Sequence, residues 1–136
     1  MTIRQVFLLI TATGLIPVAL SYGLMPEVSL GYLFGISAPD VNSTHIFRAI
    51  MGLYLGFVVF WVIGAFNERV REAALYSLVI FMMGVAAGRI LSIIVDGVPH
   101  WLLIVYLLLE LCLGSAGMLL LKKADYKNAA RRLTWR

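Results

Sequence analysis

The chain has 136 residues, of which 62% are hydrophobic and only 13% are charged, whereas about a quarter of the residues in a typical soluble domain are charged. This composition excludes an ordinary soluble domain, and the length suits one domain of four helices of about 20 residues, each able to cross a hydrocarbon core about 30 Å thick. The net charge of +4 does not indicate a nucleic-acid partner, because six of the eleven basic residues follow Leu121, directly behind a hydrophobic run, as is typical of a cytoplasmic membrane flank.

The first predicted span covers about residues 6–25 and follows a basic residue, Arg4. This arrangement resembles a signal peptide, but the apolar run is longer than the about 7–15 residues of a signal-peptide core. We therefore expect a retained helix, bent near Pro17, which lacks a backbone donor. Residues 26–44 contain two prolines and two glycines and are too short to cross a bilayer. They predict an interfacial or re-entrant segment, either a passive surface loop or a lid over a pocket.

Three further spans follow, separated by short turns. They are predicted at about residues 44–66, 73–95 and 100–121. Ser43 or Thr44 is expected to cap the second span by accepting a backbone N–H bond, and Gly97 and Pro99 suit the turn into the fourth span. The basic tail, residues 122–136, is predicted to lie on anionic lipid headgroups.

The positions of the Lys and Arg residues outside the spans predict the orientation. They lie before the first span, in the second loop and in the tail, whereas the first and third loops have none. Because basic residues concentrate in cytoplasmic loops, both termini are predicted to be cytoplasmic. The predicted fold is an all-α, four-helix transmembrane bundle that forms a single domain over residues 1–136 and has the lipid bilayer as its first partner.

Three charged residues are predicted to lie within the outer half of the spans. At about 1.5 Å per residue, Arg48 lies about 6 Å, Arg89 about 10 Å and Glu110 about 14 Å from the outer ends of their helices. A charged side chain costs roughly 2.5–3.5 kcal/mol near the centre of an inserted helix, so such residues usually have a partner or a function. Successive helical residues are rotated by about 100°, and this rotation places other polar side chains on the same helix faces as these three charges. The candidate ligand-binding residues are Arg48, Arg89, Ser92, Asp96, Tyr106, Glu110 and His45.

Two interpretations of this cluster remain open. In the first, Glu110 neutralises Arg48 or Arg89, and the ion pairs only fix the helix register. In the second, two arginines exceed one intramembrane carboxylate, and the surplus positive charge indicates an anionic or strongly polar ligand, since arginine presents a fork of donors. Two Gly-x-x-x-Gly patterns, beginning at Gly52 and Gly84, predict close helix packing beside the cluster.

The sequence leaves open whether the protein is an enzyme. If it is, the candidate general acid–base residues are Glu110 and His45. The spacing of the histidines and aspartates near the outer surface matches no metal motif, so no metal site is predicted. No redox centre is indicated, and any cofactor is unknown. Cys112 is the single cysteine, which excludes an intrachain disulfide, and we expect it to be buried as a small apolar residue.

Two stretches resemble a known family. They are THIFRAIMGLYLGF in the second span and GRILSIIVDGVPHW between the third and fourth spans. They resemble a family of small bacterial four-helix membrane proteins of unknown function, in which an RA-x-x-GL motif precedes GR-x-x-S-x-x-x-DG-x-P. The resemblance covers about residues 42–111. The architecture is also similar to DoxX-like proteins, four-span chains that include quinone-linked oxidoreductase subunits and maturation factors. The resemblance implies a multi-pass protein of the bacterial cytoplasmic (inner) membrane without an established activity.

The leading functional hypothesis is an integral membrane protein that binds a small amphipathic ligand with an anionic or polar head. Arg48 and Arg89 would hold the head, Glu110 would be its partner or proton acceptor, and residues 26–44 would cover the pocket. The alternative is a non-catalytic accessory or assembly subunit of a larger membrane complex. A transporter is a third hypothesis and requires a homo-oligomer, because four spans are too few to enclose a path.

Overall fold

Helices make up nearly all of this chain. The computed structural model describes residues 1–37 and 40–133, with side chains as far as Lys123. Within these ranges there are five helices and no strand: α1 (Ile3–Gly23), α2 (Pro26–Phe34), α3 (Val41–Phe66), α4 (Glu68–Asp96) and α5 (Trp101–Leu133). α1, α3, α4 and the Trp101–Lys123 part of α5 are long and apolar enough to cross a membrane. The predicted all-α fold with four spans is therefore confirmed.

The beginning of α3 differs from the prediction by a few residues. Asp40, rather than Ser43 or Thr44, is the N-cap, and its carboxylate accepts the Ser43 amide at 2.7 Å. Hydrogen bonds from Ser43 lower the pKa of Asp40 from its ordinary value, because they favour the ionised carboxylate. The helix therefore begins near the predicted membrane surface with a charged cap that compensates its free N–H groups.

The connection between α3 and α4 is one residue long instead of the predicted turn of residues 67–72. Asn67 ends α3, and its side chain accepts the Arg69 amide at 3.0 Å, so that α4 begins at once. α5 is also longer than its predicted span and continues without a break to Leu133. The tail is thus an extension of α5 over most of its length, and residues 134–136 lie outside the described part.

Residues 26–37, in the segment predicted to be interfacial or re-entrant, form a short helix and a turn. Pro26 stands in the first turn of α2, where its missing N–H has no cost. Gly35 ends the helix with φ 68°, a left-handed conformation that favours glycine. Ala38 and Pro39 lie outside the described residues. We call the end of the bundle that carries α2 and the α4–α5 connection the predicted outer end.

The order of helix packing leaves the first and last spans only loosely joined. α1 packs mainly on α3, α3 on α4, and α4 on α5, while α2 touches α1, α3 and α5. Trp61 is fully buried at the α3–α4 contact and donates its indole N–H to the Ser77 hydroxyl at 3.1 Å. Phe57 and Phe81 pack against the Trp61 ring. This arrangement leaves space between α1 and α5.

The glycines that permit close helix contact are not those predicted. At Gly23 a Cβ atom would lie 2.6 Å from the Met51 Cβ and 3.0 Å from the Phe47 backbone oxygen, so α1 and α3 pack closely at this point. Gly64, Gly114 and Gly117 make similarly close approaches at other helix contacts. The predicted close packing at the two Gly-x-x-x-Gly patterns is wrong within the described residues, since no heavy atom comes within 4 Å of a Cβ at Gly52, Gly56, Gly84 or Gly88. Cys112, expected to be buried, is exposed.

Arg71 closes the end of the bundle opposite the predicted outer end. Its side chain is buried, and it donates Nε to the Gly64 carbonyl and Nη2 to the Ala65 carbonyl, both at 3.2 Å. These carbonyls belong to the last turn of α3, where backbone acceptors lack helical partners. Its ion pair with Glu68 at 3.4 Å is largely exposed on the glutamate side and contributes little. The Arg71 side chain therefore satisfies terminal carbonyls of α3 with a charged donor.

Replacing Arg71 by glutamine should lower the free energy of unfolding by about 2 kcal/mol, because two buried carbonyls lose charge-assisted hydrogen bonds. The measurement is reversible unfolding in mixed micelles titrated with dodecyl sulfate. Arg69 provides the matched control, since it is exposed, and Arg69→Gln should change stability by less than about 0.5 kcal/mol. Equal effects of the two substitutions would contradict the capping role.

Candidate functional site

An ion pair joins α4 and α5 in the predicted outer half of the spans. The Arg89 Nε donates to both carboxylate oxygens of Glu110 at 3.0 Å. The two side chains are only 17% and 13% exposed, respectively. Two opposite charges in this position are each stabilised by the other, whereas either one alone in hydrocarbon is costly. Of the two arginines predicted to lie within the spans, Arg89 is therefore the one that pairs with Glu110.

Aromatic residues complete the surroundings of the Arg89 guanidinium. Its Nη2 donates to the Tyr22 hydroxyl of α1 at 3.2 Å. The Tyr106 ring of α5 lies below it, with the guanidinium carbon 5.8 Å from the ring centre, a distance that permits a cation–π interaction. Three helices therefore hold Arg89: α4 provides the backbone, while α1 and α5 provide the partners.

Tyr22 also links the ion pair to α2 and α3. Its ring stacks on Phe34 of α2 at 5.5 Å and on Phe47 of α3 at 6.1 Å. Tyr54 meets it edge-on at 5.8 Å. Sequence reasoning missed Tyr22, because a tyrosine near the end of an apolar span is most simply explained as an interface residue. Only the packing of α1 against α3 brings it to Arg89.

A cavity of about 250 Å³ lies between α1 and α5 and has Glu110 on its wall. Its lining is almost entirely apolar, with a few hydroxyl groups and one carboxylate. The residues from α1 include Ile10, Thr11, Gly14 and Leu15, those from α5 include Tyr106, Glu110 and Leu113, and the inner wall is formed by Tyr54 of α3 with Phe81 and Met82 of α4. The space is therefore a pocket with an apolar body and a single polar edge.

The polar groups at this edge have unused hydrogen-bonding capacity. Tyr54 is buried as a residue and lines the cavity. Among the described residues no fully buried side-chain polar atom lacks a hydrogen-bond partner, and the Tyr54 hydroxyl forms no hydrogen bond with them, so this hydroxyl is accessible from the cavity. The Glu110 oxygens each accept one bond from Arg89, which leaves lone pairs on both. Thr11 donates to the Phe7 carbonyl at 2.9 Å, and its oxygen remains an acceptor. The edge thus offers the Tyr54 hydroxyl as a donor and several oxygens as acceptors.

A second, smaller cavity of about 80 Å³ lies on the other side of the ion pair. It is lined by Arg89, Ser92, Ile93, Pro99 and Leu103 near the α4–α5 connection. Glu110 lines the larger cavity and Arg89 the smaller one, so the ion pair separates them. The smaller cavity has room for a few water molecules next to the guanidinium.

The predicted site residues divide into two groups. Arg89, Glu110 and Tyr106 come together, as described above. Arg48 is exposed and forms no ion pair or hydrogen bond with the described residues. His45 is exposed, and the Ser92 hydroxyl donates to the exposed Asp96 at 2.8 Å. No group of three or more side chains suitable for a metal ion occurs in the described ranges.

The charge balance of the cluster follows from this division. The surplus positive charge on which the anionic ligand was predicted belongs to Arg48, whose side chain lies outside the Arg89–Glu110 cluster. Within the cluster, one guanidinium faces one carboxylate, and the formal charges cancel. The Arg89–Glu110 cluster therefore carries no net formal charge.

Comparison with known proteins gives a family but no activity. No curated protein and no solved structure matches this chain. Residues 3–121 match one protein family. They include all four spans except the last two residues of the fourth. This region also contains the ion pair and both cavities. The chain belongs to the family described as Domain of unknown function (DUF4345).

Proposed function

We propose that this integral membrane protein binds a small amphipathic molecule in the cavity between α1 and α5. The observation that supports the proposal is an apolar cavity of about 250 Å³ with a paired carboxylate, Glu110, at its polar edge. Ligand sites of this kind have a mainly apolar lining and a few polar groups that fix orientation. The apolar body of the ligand occupies the space between the helices, and its polar end meets Tyr54 and Glu110.

The cavity is better suited to a lipid-like molecule than to water, and an empty cavity is also unfavourable. Its lining provides too few polar groups to hold a cluster of waters, each of which needs two to four partners. An empty space of this size would deprive its lining of dispersion contacts. Because typical ligand pockets measure about 300–1,000 Å³, a cavity of 250 Å³ accommodates one end or a short body of a molecule.

The polar end of the ligand is proposed to be a hydrogen-bonding group. This modifies the sequence-based hypothesis of an anionic head, since an anion near Glu110 would face a carboxylate whose charge already balances Arg89. The Tyr54 hydroxyl provides a donor, and the Glu110 oxygens provide acceptors. A carbonyl or hydroxyl oxygen matches this combination.

The test is the content of the cavity in purified protein, measured by native mass spectrometry from a mild detergent. Wild type should retain a small molecule, and Gly14→Leu should reduce its occupancy by about tenfold or more, equivalent to about 1.4 kcal/mol of binding energy. Gly14 lines the cavity, and no described heavy atom lies within 4 Å of a Cβ placed there, so a leucine extends into the space without a backbone clash.

Gly84→Leu is the matched control. Gly84 is also an exposed helical glycine with open space around its Cβ position, but it does not line the cavity. The control should retain the molecule at the wild-type level. Leu113→Trp, which fills the cavity from α5, should reproduce the loss. A molecule retained equally by both cavity-filling variants, or no molecule in any sample, would refute the proposal.

A second candidate function is an accessory or assembly subunit of a larger membrane complex. The observation that favours it is the open face of α3, where Gly52 and Gly56 border a shallow groove with Leu53, Phe57 and Phe60. Glycine faces permit close approach of another helix in a membrane. Under this function, native mass spectrometry shows a bound polypeptide that is lost in Gly52→Leu and retained in Gly14→Leu.

A further inference from the structure

The opening of the large cavity lies at the middle of the predicted bilayer. Gly14 is near the centre of α1, about 17 Å from its first residue, and Glu110 is about 14 Å from the beginning of α5. Ile10 of α1 and Leu109 of α5 line the cavity and are 64% and 52% exposed. These two residues therefore mark the sides of an opening that faces lipid chains rather than water.

The opening results from the absence of a side chain at Gly14 and from the packing order. α1 packs on α3 and α5 on α4, so no extensive contact holds α1 and α5 together at this level. The inner wall is closed by the buried residues Tyr54 and Met82. The cavity thus extends from the bilayer side of the bundle to the Arg89–Glu110 pair.

We infer that the cavity is filled laterally from the bilayer through the opening at Gly14, and that its ligand is an uncharged lipid with a hydroxyl or carbonyl oxygen. This inference rests on the proposed function and specifies its ligand class and route. The occupant is a component of the bilayer, since a molecule arriving from water would have to cross hydrocarbon to reach the opening.

Two features of the site argue that the lipid is uncharged. First, a charge brought to the middle of the bilayer costs roughly 2.5–3.5 kcal/mol even on the most favourable insertion scale. Second, the charges at the polar edge already cancel, because Arg89 and Glu110 bind each other at 3.0 Å. An anion would compete with Glu110 for Arg89, and a cation would compete with Arg89 for Glu110. A neutral oxygen needs to displace neither.

The ion pair also excludes entry from the predicted outer end. The small cavity near Ser92 and Pro99 is separated from the large one by Arg89, which binds Glu110 and Tyr22 at the same time. A ligand from that side would have to break both contacts. The opening at Gly14 requires no such change.

The inference can be tested by photolabelling of wild type in phosphatidylcholine vesicles. Three probes carry a diazirine at the same chain position: a long-chain alcohol, its permanently anionic sulfate ester, and a phosphatidylcholine. The alcohol should label the peptides of the inner wall, around Tyr54 and Met82, about tenfold or more above the anionic sulfate ester and above the zwitterionic phosphatidylcholine, the ratio that corresponds to about 1.4 kcal/mol. An excess of unlabelled alcohol should remove this labelling.

Separate substitutions test the opening at Gly14 and the hydrogen bond from Tyr54. Gly14→Leu should abolish labelling of the inner wall by the alcohol, whereas Gly84→Leu should leave it unchanged. Tyr54→Phe keeps the ring and removes the donor, so labelling should fall about fivefold, corresponding to one hydrogen bond of about 1 kcal/mol. Circular dichroism and gel filtration of each variant confirm that the fold is retained.

The outcomes distinguish this inference from the proposed function. Equal labelling of the inner wall by the sulfate ester would overturn the uncharged ligand class but keep the cavity as a binding site. Labelling by the alcohol that persists in Gly14→Leu but is lost in Leu113→Trp, which fills the cavity from α5, would overturn the lateral route and keep the cavity as a binding site. No labelling of the inner wall by any probe, together with no retained molecule in native mass spectrometry, would overturn the proposed function and this inference together.

Discussion

Arg89→Leu is expected to lower the free energy of unfolding by about 3–5 kcal/mol, the cost of leaving one member of a buried ion pair without its partner. Glu110 would then remain between the helices with an uncompensated carboxylate, because it accepts its two hydrogen bonds in the described part of the chain from Arg89. The loss should be visible in dodecyl sulfate titrations of the protein in mixed micelles, with helix content followed by circular dichroism.

Two comparison variants identify the origin of this loss. Arg48→Leu removes an exposed arginine that has no ion pair with the described residues and should change stability by less than about 0.5 kcal/mol. The double variant Arg89→Leu/Glu110→Leu should recover most of the lost stability, since replacement of a whole buried pair by apolar residues is often neutral. A double variant as unstable as Arg89→Leu alone would show that the pair is not the source.

The same double variant separates a structural ion pair from a binding site. If it is stable and still retains the small molecule, the ion pair only fixes the register of α4 and α5. If it is stable and loses the molecule, the pair contributes to binding. The sequence left two interpretations open, a structural ion pair and a ligand-binding cluster. The double variant distinguishes them, because it is expected to fold in either case.

Tyr22→Ala is expected to have an effect of similar size, about 3–5 kcal/mol, as is typical for removal of a buried aromatic side chain. The Tyr22 ring packs on Phe34 and Phe47, and its hydroxyl accepts a hydrogen bond from Arg89. Its removal therefore weakens the attachment of α2 as well as the surroundings of the ion pair. Relative to wild type, amide hydrogen exchange in Tyr22→Ala should accelerate more in α2 than in the centres of α3 and α4.

Milder substitutions divide the role of Tyr22 into its parts. Tyr22→Phe keeps the stacked ring and should cost only about 0.5–1.5 kcal/mol for the lost hydrogen bond. Tyr32→Ala serves as the control on α2, because Tyr32 is exposed, and it should leave exchange in the rest of α2 nearly unchanged. If Tyr22→Phe destabilised the bundle as much as Tyr22→Ala, the hydroxyl rather than the packing would connect α2 to the core.

Local patterns in the sequence were sufficient to predict the four spans and the depth of the charged residues within them. Four apolar stretches of about 20 residues predict membrane-crossing helices, because the backbone groups of a segment in lipid must bond within the segment. The depth of Arg89 and Glu110 follows from the constant rise per residue. Their association needed only the argument that a charge in hydrocarbon seeks a partner, although the sequence did not distinguish Arg48 from Arg89.

Side-chain environment, in contrast, depended on which helix faces meet. Gly52 and Gly56 show the same spacing as glycines that pack closely in other membrane proteins, yet their face of α3 is open within the described chain. The Arg48 Cα itself would lie 3.0 Å from a Cβ placed at Gly23, yet Arg48 is exposed. A rotation of a few tens of degrees about the helix axis decides such cases, and periodicity does not specify it to that precision.

By itself, the sequence determined the helical class, the number of spans and the presence of ionisable groups within the spans, because each of these follows from hydropathy and length along one segment. The tertiary structure alone decided that Tyr22 reaches Arg89, that Arg48 stands apart, and that a cavity separates α1 from α5. These features arise from contacts between residues far apart in the chain, such as Tyr22 and Arg89, and their geometry is set by side-chain packing that no single segment encodes.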